Sequence, residues 1–136
     1  MNKNNQTAMY EIPMKFRLME NLHIVFWLFK DLAWCMEWKI LGTFMIIPTL
    51  VAAAVITYNT RKIGSEFWHN LAVLFWISAN GYWMLSEFTG IDKAIFYGPI
   101  TMKHLAVVPF GIGVLVLTYF YLYINPRDKK NSLIKT

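Results

Sequence analysis

The sequence has a single cysteine, Cys35, and few acidic residues, and these shortages exclude several kinds of protein. One cysteine cannot form an intrachain disulfide, and it excludes cysteine-based metal sites and c-type haem attachment. The chain also has no P-loop, no HExxH motif and no nucleophile–base arrangement, which favours a role other than catalysis. Eight Asp and Glu against thirteen Lys and Arg leave a net charge of +5.

Apolar residues, in contrast, make up 57% of the chain, above the level of about 45–50% that is usual for soluble domains. They form four long stretches, which are Leu22–Trp38, Ile40–Tyr58, Phe67–Phe88 and His104–Ile124. About 20 helical residues cross the hydrocarbon core of a bilayer. The pattern therefore predicts an all-α bundle of four transmembrane helices, with a soluble, fully buried four-helix subunit as the alternative.

The predicted transmembrane domain covers residues 18–124, with spans at about 18–38, 40–58, 67–88 and 104–124. Residues 1–17 are expected to form a polar or interfacial arm, and residues 125–136 a basic tail. With four spans, most basic residues fall on one side of the membrane, and these are Lys3, Lys15, Arg17, Arg61, Lys62, Arg127, Lys129, Lys130 and Lys135. Because Lys and Arg favour the cytoplasmic side, both termini are predicted to be cytoplasmic. The net charge then indicates contact with anionic lipid rather than with nucleic acid.

Two short patterns occur twice, which indicates an internal repeat of one helical hairpin. Span one has Trp27, Asp31, Trp34 and Trp38, and span three has Trp76, Asn80, Trp83 and Glu87 at the same spacing. Span two has Pro48 before Thr57-Tyr58, and span four has Pro109 before Thr118-Tyr119, again at the same spacing. Two parallel hairpins would be related by an axis along the membrane normal. Chance agreement is the alternative, because Trp and Pro are common in membrane helices.

Polar side chains follow one face of span one and one face of span three. Because unpaired polar groups are costly in hydrocarbon, the two faces are expected to turn toward each other or toward a common cavity. The predicted intramembrane site consists of Lys30, Asp31, Trp34, Trp76, Asn80 and Trp83. Within it, Asp31 is either a titrating group for a proton or solute, or one half of a neutralising structural pair.

Two further clusters are candidates for function. Glu37, Glu87 and Asp92 are predicted to form an outer rim, which either attracts cations or is simply solvated. His23 and His69 lie near the opposite surface and are candidate ligands of a metal or haem, the alternative being an interfacial polar role. If His23 and His69 have only an interfacial role, no cofactor is predicted.

The stretch Glu66–Phe88, together with Lys30-Asp31 and Trp34–Trp38, resembles small bacterial four-span inner-membrane proteins of unassigned activity. The resemblance implies a bacterial inner membrane and no particular activity.

Three functions are compatible with the sequence. The first is a small transporter or channel-like protein that acts as a homo-oligomer, because four helices enclose little space. The second is an accessory or assembly subunit of a larger membrane complex, and the third is a haem- or metal-binding redox subunit.

Overall fold

The computed structural model describes residues 14–127, and these residues are mostly helical. They form α1 (Met14–Cys35), α2 (Lys39–Asn59), α3 (Gly64–Thr89) and α4 (Val107–Tyr119), with the short strands β1 (Ile95–Tyr97) and β2 (Ile100–Thr101) between α3 and α4. α4 is the centre of a longer helix, Met102–Arg127, which begins with a 3-10 segment and contains a π-helical segment at Phe120–Ile124. The prediction of four helices is confirmed, whereas the β1–β2 hairpin was not predicted. The predicted arm (1–17) and tail (125–136) lie mainly outside the described residues.

Two helices among residues 14–127 are long and apolar enough to cross a membrane, namely Lys39–Asn59 and Met102–Arg127. α1 and α3 have 22 and 26 residues, so each is about 33 Å long or more at 1.5 Å per residue. They are less apolar because they carry the charged, His and Asn side chains of the predicted polar faces. Membrane association is thus indicated by two helices, and four spans remain a prediction.

The helices pack in chain order, with α1 against α2, α2 against α3 and α3 against α4. Successive helices are antiparallel, so the bundle has two ends. We call the end with the α2–α3 turn the histidine end, because His23 and His69 lie there. There, Thr57 Oγ1 donates a hydrogen bond to Asn70 O (3.1 Å), and Asn70 Nδ2 donates one to Thr60 Oγ1 (3.1 Å). The opposite end, with the α1–α2 turn and the β1–β2 hairpin, is the hairpin end.

α1 and α3 end in the same type of C-terminal cap. At the end of α1 the Trp38 N–H donates to Ala33 O (2.8 Å), and the residue before Trp38, Glu37, has a φ of 55°. At the end of α3 the Ile91 N–H donates to Ser86 O (3.0 Å), and Gly90 has a φ of 74°. These bonds define the Schellman motif, whose left-handed residue is usually glycine. α1 therefore stops at Cys35, three residues before the predicted end of the first span at residue 38.

The packing is only partly consistent with a repeated hairpin. Trp27 contacts Trp76, and Trp34 contacts Trp83, so residues at equivalent repeat positions meet each other. Such contacts are expected beside a two-fold axis that runs between α1 and α3. However, α2 packs along α3, and α4 has no comparable packing on α1 within the described residues. The symmetry relating the two hairpins is therefore incomplete.

The hairpin end is tightly packed around Gly42, and we expect Gly42→Ala to destabilise the protein. An added Cβ would lie 2.6 Å from Phe88 Cε2, so the Phe88 ring must move, which we expect to cost about 1–3 kcal/mol. Gly111→Ala is the matched control, because nothing lies within 4 Å of its added Cβ and alanine favours helix by about 1 kcal/mol. Thermal unfolding in detergent, followed by circular dichroism, measures both variants. Equal melting temperatures for the two would contradict this packing.

Candidate functional site

The polar faces of α1 and α3 meet along a line of tryptophans, which we call the α1–α3 seam. The ring centroids of Trp27 and Trp76 are 4.3 Å apart with an interplanar angle of 87°. Those of Trp34 and Trp83 are 5.6 Å apart with an angle of 74°. Both are edge-to-face pairs, which are favourable beyond the area that they bury. Because the two tryptophans of each helix are seven residues apart, they lie two turns apart on the same face.

Glu87 closes the α1–α3 seam at the hairpin end. Its Oε2 accepts a hydrogen bond from Trp34 Nε1 at 2.8 Å, and its Oε1 accepts one from Trp83 Nε1 at 2.7 Å. Hydrogen bonds to an ionised carboxylate are stronger than those between neutral groups. Glu87, which the sequence placed in an outer rim, therefore joins α1 to α3 as well. The Trp83–Glu87 bond has the i, i+4 spacing of a helix and could be expected from the sequence, whereas the Trp34 bond could not.

Lys30 and Asp31 form an ion pair although they are neighbours in sequence. The distance from Lys30 Nζ to Asp31 Oδ1 is 2.5 Å. The Lys30 side chain is 0% exposed, whereas the Asp31 side chain is 47% exposed. Adjacent residues do not face each other on a helix, but the flexible lysine stem lets the ammonium reach sideways. Lys30 Nζ also lies 5.7 Å from the centroid of the Trp34 ring, which connects the pair to the α1–α3 seam.

The structure therefore brings together most, but not all, residues of the predicted intramembrane site. The four tryptophans meet in pairs, and the Lys30–Asp31 pair adjoins Trp34. Asn80 lies half-buried on α3, one turn from Trp76 on one side and near Trp83 on the other. Among the described residues, its side chain has no hydrogen bond to Asp31.

The predicted outer rim is split between two places. Glu37 and Glu87 line one cavity of about 220 Å³ at the hairpin end, together with Lys39 and Trp34. Asp92 is not part of this cavity. Its backbone instead helps to end α3, because the Asp92 N–H donates to Ser86 O at 3.1 Å.

His23 and His69 lie at the same end of the bundle but line different cavities. His23 shares its cavity with Asn70, the residue that follows His69 in the chain. His69 turns toward the last helix, where its Nε2 is 2.9 Å from Tyr121 Oη and its Nδ1 is 2.8 Å from Ser65 O. Both nitrogens of His69 are thus engaged by the protein. Within residues 14–127 no three His, Cys, Asp or Glu side chains cluster as metal ligands do, so joint ligation by His23 and His69 stays a prediction.

Sequence reasoning overlooked the polar groups that surround His23. Asn70 lines the same cavity and also joins α3 to α2 through Thr57 and Thr60. The available signal was an amide side chain within a predicted apolar span. Two buried nitrogens, His23 Nε2 and Trp27 Nε1, have no hydrogen-bond partner among the described residues. No sequence pattern indicates that the indole of Trp27 is unpaired while that of Trp34 is paired.

This difference gives a matched pair of substitutions, Trp34→Phe and Trp27→Phe. Each removes the same indole N–H and the same ring volume. Only Trp34→Phe breaks a bond to the Glu87 carboxylate, so we expect it to destabilise the protein by about 1.5–3 kcal/mol more than Trp27→Phe does. Chemical unfolding in detergent micelles measures the difference. If Trp27→Phe is equally or more destabilising, the assignment of the two N–H groups is wrong.

Comparison with protein-family models, with curated proteins and with solved structures finds no match to this chain. Its resemblance to small bacterial four-span membrane proteins therefore stays a prediction. The α1–α3 seam, the Lys30–Asp31 pair and the cavities at the two ends are the features from which function can be inferred.

Proposed function

We propose that this chain is a four-span integral membrane protein in which α1 to α4 each cross the bilayer. Two of its helices have the length and hydropathy of membrane spans, and α1 and α3 have the length. The tryptophans of α1 and α3 meet in pairs, and Glu87 of α3 accepts a hydrogen bond from Trp34 of α1, so part of each polar face is shielded as lipid requires. The Schellman caps and the hydrogen bonds of Asn70 satisfy backbone and side-chain groups at the helix ends.

The histidine end is the proposed cytoplasmic end, in a bacterial inner membrane. Arg61 and Lys62 are exposed in the α2–α3 turn, and Arg127 lies at the end of the last helix, so this end is basic. Arg61 stacks on the ring of Tyr58, with 3.8 Å between the guanidinium carbon and the ring centroid. Aromatic and basic residues of this kind are typical of the membrane–water interface on the cytoplasmic side.

The proposed activity is the movement of a proton or a small solute past the Lys30–Asp31 pair, which adjoins the α1–α3 seam. The observation that carries this proposal is the Lys30–Asp31 pair, with a fully buried ammonium and a half-exposed carboxylate. Burying an ion pair commonly stabilises a protein no more than apolar packing would, so a purely structural reason for the pair is weak. Charges within a span are by default candidates for a transport site.

The same pair supports an oligomer. In a single chain surrounded by lipid, the exposed half of Asp31 would contact hydrocarbon, at a cost of about 2.5–3.5 kcal/mol on insertion scales. Water or a second subunit must therefore cover this face of α1. A homo-oligomer would bring several Asp31 side chains to a shared pathway, which four helices alone are too few to enclose. In this arrangement Asp31 takes up and releases the proton, Lys30 fixes the carboxylate, and Glu87 with its two indoles holds α1 against α3.

Asp31→Asn tests the proposal, because it keeps the shape of the side chain and removes its charge. We expect proton flux into liposomes that contain the purified protein and an internal pH dye to fall at least tenfold under an imposed membrane potential. Glu66→Gln is the matched control, because Glu66 is exposed at the start of α3 and lies outside the seam. Flux that is unchanged in Asp31→Asn, or absent from the unmodified protein, would contradict a proton pathway through Asp31.

An accessory subunit of a membrane complex is the second candidate, and the β1–β2 hairpin favours it. Ile95, Phe96 and Tyr97 are 76%, 60% and 77% exposed at the hairpin end, which is unusual for three consecutive large apolar side chains. Native mass spectrometry after extraction in mild detergent distinguishes the candidates. A constant, stoichiometric partner protein would favour the accessory role, and a homo-oligomer would favour transport. The third hypothesis, a haem-binding subunit, predicts a Soret absorption band in the spectrum of the same preparation.

A further inference from the structure

The cavity at the histidine end has the features of a ligand-binding site. It has a volume of about 240 Å³ and lies between α1, α2 and α3. Three polar side chains, His23, Trp27 and Asn70, line it together with four aliphatic ones. No charged residue is among them, and Lys30 and Asp31 lie about one turn beyond Trp27 on α1. The volume is slightly below the range of about 300–1,000 Å³ for pockets that hold drug-sized molecules, so it suits a smaller one.

Two polar atoms of this lining are buried without a hydrogen bond. His23 is 8% exposed, and neither its Nε2 nor the Nε1 of Trp27 has a partner among the described residues. An unpaired buried polar group costs about 1–3 kcal/mol, and nearly all such groups in folded proteins are paired. The two side chains stand one turn apart on α1, with ring centroids 6.5 Å apart. Two unpaired nitrogens at a single cavity therefore indicate a missing partner there.

We propose that this cavity binds a neutral, lipid-soluble carbonyl compound of the quinone class. An indole N–H only donates hydrogen bonds, and a neutral imidazole protonated at Nε2 donates as well. Both nitrogens therefore match an acceptor oxygen. The aliphatic walls and the Trp27 ring match an apolar ring, and the uncharged lining excludes a strongly ionic ligand.

The route into the cavity is also consistent with a lipid-soluble ligand. Ile24 lines the cavity and is 49% exposed, so the lining of the cavity reaches the surface that lipid would cover. The two nitrogens are themselves buried, so binding requires the imidazole or the indole ring to rotate toward the carbonyl oxygen. The torsion that orients an imidazole or indole ring is broad, so the torsion itself does not oppose this rotation. This site shares Trp27 with the α1–α3 seam, but Lys30 and Asp31 do not line it, and the proposal does not depend on proton movement at Asp31.

Binding of duroquinone tests the proposal, because this fully methylated quinone does not react with the thiol of Cys35. The full chain is placed in lipid nanodiscs and titrated by calorimetry, with empty nanodiscs subtracted. We expect saturable binding of one duroquinone per chain. Durene has a methylated six-membered ring but no carbonyl oxygen, and we expect it to bind at least tenfold more weakly.

Two variants on α1 complete the test. Trp27→Phe should weaken duroquinone binding at least tenfold, whereas Trp38→Phe should leave it unchanged, because Trp38 is 50% exposed at the hairpin end and does not line this cavity. His23→Leu gives a second test should Trp27→Phe fold poorly, and duroquinone should raise the melting temperature of the unmodified protein but not of His23→Leu. Absence of saturable binding, equal binding of durene, or unchanged affinity in the variants that fold would overturn the proposal.

Discussion

The two hydrogen bonds that Glu87 accepts are the interaction on which the α1–α3 seam depends. Through them one carboxylate of α3 holds Trp34 of α1 and Trp83 of its own helix in one arrangement. The edge-to-face contact of these two rings follows from that arrangement. Ring contacts alone are compatible with many helix rotations, whereas a carboxylate with two fixed donors specifies one rotation of α1 relative to α3. The positions of Lys30 and Trp27 on α1 are then determined as well.

The two ends of this seam differ in how well their polar groups are satisfied. At the hairpin end both carboxylate oxygens of Glu87 are bound, and the Schellman cap pairs the last backbone groups of α1. At the histidine end, two turns away, two buried nitrogens have no partner. A well-satisfied end is suited to holding helices together, and an unsatisfied one is suited to receiving a ligand. The repeat pattern does not indicate this division, because equivalent tryptophans occur at both ends.

Much of the helical architecture could be predicted because it depends on local composition. The length of the apolar stretches indicated four helices, and the shared spacing of Trp27 and Trp34 with Trp76 and Trp83 indicated two matching faces. The helix ends were less predictable, since Glu37 adopts a left-handed conformation that is uncommon for a residue with a side chain. The β1–β2 hairpin was missed because its strands are only three and two residues long.

The sequence by itself determined which residues share a face, because a helix repeats every 3.6 residues whatever surrounds it. Only the tertiary structure decided which polar atoms on those faces have partners. Lys30 is enclosed while its neighbour Asp31 is half exposed, and the indole of Trp34 is bound while that of Trp27 is not. The physical reason is that a hydrogen bond requires heavy atoms within about 3 Å of each other. That distance depends on how one helix is rotated and shifted relative to another. The spacing of residues along a single helix does not determine this rotation or shift.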